Sequence, residues 1–409
     1  MHSTFNQHRV AVVILLITIG VFSACQPENP QQQGGRVIRF WHFWSEPGQK
    51  AALTDLVSAF EKANNCRVEL TELSWNDGKA KLQAAFNSGA PPDVVELGSD
   101  WVAQFSGAGV LAPLTRIDTA ALLGYALAPG RHAGTLHAAP WIVDTRVLFV
   151  NMQHASAVGM DTVRSIEDLQ ALAEAIQAKG HFGWGANGAD PHRLYKKILP
   201  FLWSFGGDVL DAGGRCVLYS PENVRALACY AELSRTGIIE TQRQLDATFL
   251  QGRIGVWNSG SWLIKKLRSN ANLNVRAMSF PGVDGRPGVS FAGGEYLAAP
   301  AASTQKDLAE KLIRFLIDPV NAKTFCSKIP EAGFPAAISA YDDPALRSDP
   351  FKAVFAAQLR NARMTPVHRR WLDIESVLEN AVVRVLLGEA TPDRALQEAH
   401  DEITEIIGS

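Results

Sequence analysis

Short apolar runs alternate with amphipathic segments along the first part of the chain. The apolar runs cover residues 37–41, 66–73 and 93–97, a length typical of strands. The segments between them, around residues 53–60 and 79–87, carry apolar side chains at helical spacing. This β-α-β-α-β order predicts a largely parallel sheet covered by helices.

Polar and aromatic side chains follow two of these predicted strands. Trp44, Ser45 and Glu46 come just after the first strand, and Asp100 and Trp101 come just after the third. In open α/β sheets, ligands bind beyond the carboxyl ends of the strands. The pattern alone therefore places a candidate binding edge at these five residues. Glu46 and Asp100 also fit acidic residues that only favour the dipole of a helix N-terminus.

The rest of the chain continues the mixture of strands and helices. Residues 137–151 are typical of two strand segments with a polar break, which includes Asp144. Trp184 ends a short strand that leads into a loop. Helical periodicity and capping residues predict further helices at 165–180, 194–205, 220–237, 303–317 and 391–407, with a helical segment after Trp371.

Residues 249–262, FLQGRIGVWNSGSW, combine a buried strand with a polar turn and the start of a helix. Ser259 and Gly260 lie in the turn, and Trp262 stands at its rim. Small side chains and free backbone N–H groups at a helix N-terminus let a ligand approach closely. The alternative interpretation is an ordinary turn with a packing tryptophan.

A later apolar run, residues 290–300, carries two adjacent glycines before Glu295. Glycine within a strand marks a bulge or a close approach of another backbone. Gly294 and Glu295 are therefore candidates for a backbone surface that faces a ligand.

Length and charge limit the function classes. The chain has 409 residues, which exceeds one ordinary domain and indicates two lobes or one large unit. A net charge of −2 gives no electrostatic argument for binding nucleic acid. Ten tryptophans are a generous supply and favour a cleft that binds ring-shaped ligands.

The N-terminus predicts export. Arg9 precedes an apolar run over residues 10–21 that ends in Phe-Ser-Ala-Cys25. This ending resembles a bacterial lipobox, which implies a signal peptide over residues 1–24 and acylation of Cys25; a plain secretory signal is the alternative. Residues 25–36 are then a lipid-anchored tether rich in Gln, Pro and Gly.

Four further cysteines, Cys66, Cys216, Cys229 and Cys326, allow three disulfide connectivities or none. No spacing of these cysteines or of the histidines predicts a metal site, and no phosphate-binding or dinucleotide-binding motif is present in the sequence. We expect no cofactor.

The turn at 252–262 and four other landmarks resemble the extracellular solute-binding proteins of ABC importers, in the carbohydrate-binding family that includes maltose-binding protein. The other landmarks are the P-D-V-V strand, the strand ending in Asn151, the returning G-G-x-x-L-A strand and the closing L-x-G-x-x-T-P-x-x-A-L segment. The resemblance covers nearly the whole mature chain.

The resemblance implies two α/β lobes of the periplasmic-binding-protein type with a ligand cleft between them. The first lobe is expected to contain residues 37–147 and about 296–345, and the second residues 148–295 and about 346–409. The implied ligand is a sugar or sugar-like polyol. The implied partners are the membrane subunits of an ABC permease, with a monomeric protein anchored in the cell envelope.

Carried over place by place, the resemblance assigns a stacking role to Trp262, with Trp371 near the place of a second stacking aromatic. It assigns polar contacts to Ser45, Glu46, Asp100 and Asp144. The full set of expected ligand-binding residues is Trp44, Ser45, Glu46, Asp100, Trp101, Asp144, Trp184, Ser259, Gly260, Trp262, Gly294, Glu295 and Trp371.

Three alternatives stay open at this point. Glu46, Asp100, Asp144 and Glu295 all lie near strand ends, and two of them could form the carboxylate pair of a surface-anchored glycoside hydrolase. The family also contains binders of glycerol phosphates, although the predicted site offers no Arg or Lys for a phosphate. A structural or adhesive lipoprotein would bind no small molecule.

Overall fold

The computed structural model describes residues 36–408. The signal peptide and Cys25 therefore lie outside the described residues. The strands are β1 (Arg36–His42), β2 (Cys66–Glu72), β3 (Val94–Gly98), β4 (Arg131–His132), β5 (Thr135–Leu136), β6 (Ala138–Thr145), β7 (Val147–Asn151), β8 (Phe182–Asn187), β9 (Ile238–Glu240), β10 (Ile254–Ser259), β11 (Val275–Met278), β12 (Ser290–Ala298), β13 (Phe334–Pro335) and β14 (Ala362–Arg363).

Helices surround these strands, which confirms the predicted α/β class. They are α1 (Pro47–Asn64), α2 (Gly78–Asn87), α3 (Ser99–Gly107), α4 (Gly124–Leu127), α5 (Met152–Ala157), α6 (Ile166–Ala178), α7 (Tyr195–Ser204), α8 (Pro221–Arg235), α9 (Gln242–Leu250), α10 (Leu263–Arg268), α11 (Lys306–Ile317), α12 (Pro319–Lys328), α13 (Pro344–Ser348), α14 (Pro350–Leu359), α15 (Trp371–Leu386) and α16 (Pro392–Gly408). Short 3-10 turns lie at Thr119–Ala121, Pro330–Ala332 and Ile338–Asp342.

Two large sheets organise the molecule. The first has the order β13-β6-β12-β3-β1-β2, with β14 paired to β12, and the second has the order β11-β7-β10-β8-β9. β1 pairs in parallel with β2 and β3, as the β-α-β-α-β pattern predicts. β12 runs antiparallel to both β3 and β6. The first sheet is mixed because β12, which follows the strands of the second sheet in the chain, returns to it in the antiparallel direction.

The chain passes between the sheets at two adjacent places. β6 belongs to the first sheet and β7 to the second, and Arg146 alone separates them. Ser290 begins the returning strand, and its hydroxyl donates to the carbonyl of Arg146 at 2.7 Å. Thr145 donates in the same way to the carbonyl of Phe291 at 2.8 Å. These two bonds hold both crossing segments side by side.

Apolar side chains fill the space around each sheet. One core contains Phe40 and Trp141 of the first sheet and continues to Trp257 of the second. A second core packs Val150 and Val256 of the second sheet against helices α6, α7, α8, α15 and α16. Because the last two helices pack there, the C-terminal end of the chain covers the second sheet.

The four cysteines of the described chain are free thiols. Cys229 and Cys326 are buried, while Cys66 and Cys216 are half-buried. Burial raises the pKa of Cys229 to about 12, since the thiolate would lose its hydration. The spacing allowed three disulfide connectivities or none, and in the structure these four residues form no disulfide.

We predict that the exported protein carrying Cys25→Ser titrates four thiols after unfolding without reductant. A thiol reagent at neutral pH should react slowly with the native protein, because the reactive species is the thiolate. The melting temperature should be the same with and without dithiothreitol. Fewer than four thiols, or a lower melting temperature in reductant, would show that a disulfide forms.

Candidate functional site

The end of β1 places an aromatic and polar segment beside the first core. Trp44 is only 8% exposed, and its ring packs edge-on against Trp141 and Phe325 at centroid distances of 6.1 Å and 5.1 Å. Its indole Nε1 is buried and has no hydrogen-bond partner. Ser45 and Glu46 are exposed, so the three predicted residues divide into a packed ring and a solvated pair.

The end of β3 places Asp100 and Trp101 in the first turn of α3. Asp100 is 9% exposed and accepts a hydrogen bond from the hydroxyl of Tyr195 at 3.1 Å. Tyr195 begins α7, which packs on α8 beside the second sheet. This bond therefore joins elements of the two sheets. Trp101 packs against Phe43 with centroids 5.7 Å apart.

An ion pair lies where the chain leaves the first sheet. Arg146 Nη1 donates to Asp144 Oδ2 at 3.0 Å and to the carbonyl of Thr145 at 3.1 Å. The backbone N–H of Ser261 also points at Asp144 Oδ2, at 3.4 Å. The other oxygen, Asp144 Oδ1, is buried without a partner, and so is Arg146 Nε.

Glu295 lies beside this ion pair on β12. Its Oε2 is buried without a hydrogen-bond partner. Burial, followed by the negative charge of Asp144, raises the pKa of Glu295 to about 8. Glu295 is therefore mainly protonated at neutral pH and can donate a hydrogen bond. The preceding Gly294 lies so close to β6 that a Cβ would come within 2.0 Å of the Ile142 carbonyl oxygen.

Burial also raises the pKa of Asp144, and the adjacent Arg146 opposes that shift. The two carboxyl groups at this junction thus differ: Asp144 is paired with a cation, and Glu295 is not.

The second sheet contributes the turn after β10. Asp246 accepts hydrogen bonds from Trp262 Nε1 at 3.1 Å, from Trp257 Nε1 at 2.8 Å and from the Ser259 hydroxyl at 3.2 Å. These bonds fix the orientation of the Trp262 ring. Gly260 lies directly against that ring, since a Cβ there would come within 2.0 Å of a ring carbon.

The guanidinium of Arg146 lies over the Trp262 ring, 4.5 Å from its centroid. This contact joins the junction between the sheets to the turn after β10. A ligand ring that stacks on this face of Trp262 would have to replace the guanidinium.

Two lysines of α7 complete the cluster. Lys197 is buried, donates to the carbonyl of Asn258 at 2.6 Å and lies 5.8 Å from the Trp262 ring centroid. Burial, with repulsion from Arg146, lowers the pKa of Lys197 well below its usual value. Lys196 is half-buried and lies over the rings of Tyr195 and Phe291.

Trp184 and Trp371 lie elsewhere. Trp184 is 1% exposed and packs edge-on against Phe201 in the second core, so the structure does not bring it to the cluster around Trp262. Trp371 is equally buried and packs edge-on against Tyr195, 5.9 Å between centroids, behind the bond to Asp100. Both are core residues in this structure, because both rings are enclosed by apolar neighbours.

Sequence reasoning missed Arg146, Tyr195, Lys197 and Asp246. A signal existed for Arg146, since a charged residue between two apolar strand segments requires a reason. Lys197 also stood out as a cation next to the apolar run of α7. Nothing local identified Asp246, whose partners lie 11 to 16 residues further along the chain.

The cluster offers both donors and acceptors without partners. Arg146 Nε is a buried donor and Asp144 Oδ1 a buried acceptor, while Oε2 of the mainly protonated Glu295 carboxyl is also buried without a partner. Buried polar groups in folded proteins normally have partners. A neutral ligand rich in hydroxyl groups would satisfy both kinds, because each hydroxyl can donate and accept.

Residues 36–408 contain no group of three or more His, Cys, Asp or Glu side chains arranged to hold a metal ion. Within the same residues, no helix is long and apolar enough to cross a membrane.

Comparison with known proteins identifies relatives across most of the chain. A galactooligosaccharide-binding protein of Bacillus subtilis is 24% identical over 377 residues, covering 87% of this chain and 86% of the relative. A binding protein of Brucella abortus, itself described as putative, is 23% identical over 372 residues, covering 84% and 87%.

Solved structures share the fold. The GacH receptor of Streptomyces glaucescens, solved unliganded and with acarbose, matches with a TM-score of 0.81 and 24% identity over 92% of this chain and 99% of that one. Maltose-bound MalE3 of T. maritima matches with a TM-score of 0.79 and 23% identity over 91% and 100%. These similarities confirm the predicted two-lobed fold of periplasmic binding proteins.

The family model described as bacterial extracellular solute-binding protein matches residues 55–353. That match covers most of the chain, and it agrees with the resemblance carried by the sequence landmarks. The chain belongs to the bacterial extracellular solute-binding protein family.

Proposed function

We propose that this protein captures a saccharide between its two lobes and delivers it to an ABC importer. The observation that carries the proposal is the group of partnerless hydrogen-bonding atoms beside Trp262, which includes Asp144 Oδ1, Glu295 Oε2 and Arg146 Nε. Carboxylates accept strong hydrogen bonds from hydroxyl groups, and a flat indole covers an apolar sugar face. Relatives named for oligosaccharide binding support the same ligand class.

The ligand site of this proposal lies at the junction between the sheets. It includes Asp144, Glu295 and Gly294 on the first-sheet side, with Ser259, Gly260 and Trp262 on the other. Trp44, Ser45, Glu46, Asp100 and Trp101 line the approach from the carboxyl ends of β1 and β3. Trp184 and Trp371 are omitted because they are enclosed in the second core.

Closure of the lobes is the motion that this arrangement favours. Arg146 and Ser290 lie on the two crossing segments, which share hydrogen bonds and form a narrow connection. A few residues that connect two rigid lobes are the usual place of a hinge. A ligand that contacts both lobes stabilises the closed form and shifts the population toward it. The lobe boundaries expected from the sequence landmarks stay a prediction.

The remaining parts of the proposal concern location and partners. Acylation of Cys25 would tether a monomeric protein to the cell envelope, facing the membrane subunits of the importer. The relatives include a maltooligosaccharide solute-binding lipoprotein of Streptococcus pneumoniae, which supports an anchor of this kind. Binding and release of the solute require no covalent bond to break. The proposed function is therefore not that of an enzyme.

A glycoside hydrolase is the second candidate, and one observation favours it. Glu295 is protonated at neutral pH beside the ion-paired Asp144. A protonated acid next to a second carboxyl group is the arrangement that many glycosidases use. The two candidates differ in the fate of the ligand, which is recovered intact from a binding protein and cleaved by a hydrolase.

We predict that a saccharide raises the melting temperature of the protein and is recovered intact. A ligand that binds only the folded state stabilises it by about 2.7 kcal/mol at a hundredfold excess over its dissociation constant. The measurement is thermal unfolding against mono-, di- and trisaccharides, polyols and sugar phosphates, with the ligand analysed by chromatography afterwards. Cleavage would favour the hydrolase, and the absence of any stabilising saccharide would contradict the proposal.

Trp262→Ala should weaken binding of that saccharide by at least about 2 kcal/mol, a typical loss for a buried aromatic anchor. Calorimetric titration measures the loss. Tyr219→Ala is the matched control, because Tyr219 is an exposed aromatic residue whose hydroxyl bonds Asp393, away from the cluster. Unchanged affinity in Trp262→Ala would remove this ring from the site.

Glu295→Gln should change the pH dependence of stability. The folded state raises the pKa of Glu295 to about 8. The contribution of this side chain to stability is therefore fully present at pH values below its pKa in the unfolded state. That effect is lost as the pH rises through about 8. The amide cannot ionise, so the free energy of unfolding of Glu295→Gln should increase relative to the wild type between about pH 5 and pH 8.

Urea unfolding of the ligand-free protein at a series of pH values measures this difference. Glu46→Gln is the matched control, since it makes the same substitution at an exposed side chain. A constant difference for Glu295→Gln would show that Glu295 is ionised in the folded protein throughout this range.

A further inference from the structure

Two cationic side chains lie beside Trp262, and Lys196, the next residue of α7, is a third cation, although the sequence landmarks predicted none there. Arg146 lies 4.5 Å from the ring centroid and Lys197 lies 5.8 Å from it. Lys196 is next to Lys197 in α7, and the pKa of Lys197 is lowered by burial first, then by repulsion from Arg146 and, less, from Lys196. A site for a neutral ligand does not require such a concentration of positive charge.

Arg146 cannot move far from the ligand position. It is the single residue between β6 and β7, it is 8% exposed, and its backbone carbonyl accepts the Ser290 hydroxyl. A sugar ring that replaces the guanidinium over Trp262 would leave that guanidinium at the edge of the ring. Its Nε has no partner, so it can donate to a ring substituent.

Lys196 is a second cation available to a ligand. Within residues 36–408 it has no hydrogen bond or ion pair, and its ammonium lies 5.8 Å from the Phe291 ring centroid. The acids in its surroundings have other partners. Glu379 accepts hydrogen bonds from the backbone N–H groups of His192 and Tyr195. Asp100 accepts one from the Tyr195 hydroxyl.

Glu375, another neighbour of Lys196, bonds the His192 ring at 2.6 Å. Burial raises the pKa of Glu375 to about 7, so it is only partly ionised at neutral pH. It therefore compensates the charge of Lys196 incompletely.

The carboxyl groups nearest Trp262 also do not neutralise all of the positive charge there, so the site can accept one more negative charge. Asp144 is paired with Arg146, and Asp246 accepts hydrogen bonds from two indoles and a hydroxyl. Glu295 is mainly protonated at neutral pH and would donate to an anion instead of repelling it. Burial, followed by repulsion from Arg146, lowers the pKa of Lys197, and a bound anion would oppose that shift.

We propose, as an inference that rests on the saccharide-binding function, that the ligand carries a carboxylate, as in a uronic acid, bound by Arg146 and Lys196. Arg146 provides planar donors that match a carboxylate, and Lys196 adds a mobile charge. The carboxyl groups of Asp144 and Asp246 lie nearby, and they would disfavour a doubly charged phosphate more strongly than a singly charged carboxylate. The charge balance therefore favours an acidic sugar over a sugar phosphate.

The test compares saccharides that differ only at the carboxylate. Disaccharides of glucuronic, galacturonic and mannuronic acid are titrated calorimetrically into the full exported chain at pH 7, each against the neutral disaccharide of the same stereochemistry. Glucose 6-phosphate provides the phosphate arm. At least one uronate should bind about tenfold or more tightly than its neutral counterpart, a difference that corresponds to about 1.4 kcal/mol.

Lys196→Gln should reduce the affinity for that uronate about tenfold while leaving the neutral sugar within about twofold. Lys266→Gln, an exposed lysine of α10, is the matched control and should change neither. Arg146→Lys retains the charge but loses the planar donors, so it should weaken the uronate by less than Arg146→Gln does. Melting curves establish that each variant is folded.

The outcomes separate this inference from the proposed function. Neutral disaccharides that bind as tightly as the uronates would overturn the carboxylate preference and leave the saccharide-binding function intact. Binding of glucose 6-phosphate alone would replace the carboxylate with a phosphate. Failure of every saccharide to bind would overturn both proposals.

Discussion

Arg146 is the residue on which the site depends, because its backbone and side chain perform different tasks at one place. Its backbone is the only link between β6 and β7, and the Ser290 hydroxyl holds that link against the returning strand. Its side chain pairs with Asp144 and covers Trp262. A buried ion pair adds little net stability, since desolvation offsets the attraction, but removal of one partner leaves an uncompensated charge. The pair therefore fixes geometry at the junction more than it stabilises the fold.

The polar cluster around Arg146 is incomplete as it stands. Asp144 Oδ1 and Glu295 Oε2 are buried without partners, and the proton on Glu295 is one response to that burial. A ligand that supplies the missing partners gains the energy that the unbonded groups have lost. This relation connects the unmade hydrogen bonds at the junction to the proposed capture of a solute. In the same way, a bound negative charge would relieve the repulsion among Arg146, Lys196 and Lys197.

Most of the fold was predictable because it rests on local patterns. The helix predicted over residues 165–180 forms as α6 with Ser165 as its N-cap, and the polar break within residues 137–151 separates β6 from β7. The candidate site was predicted only partly. Asp144, Glu295 and Trp262 come together, but Trp184 lies in a core, since burial depends on which helices pack over a strand and not on the strand itself. Asp246 escaped notice because its role consists entirely of bonds to later residues.

The sequence by itself determined the α/β order of elements and the residues that end each strand, because short-range periodicity and capping chemistry encode them. Its landmark motifs carried the resemblance to the family. Only the tertiary structure decided which charges meet. Arg146, Lys197 and Asp246 are separated by up to 100 residues in the chain, and they become neighbours of one indole when the two sheets pack together. The pKa of Glu295 depends on this packing as well, since burial and the charge of Asp144 arise from the fold. Proximity of distant charges is a property of the assembled lobes, which no local pattern contains.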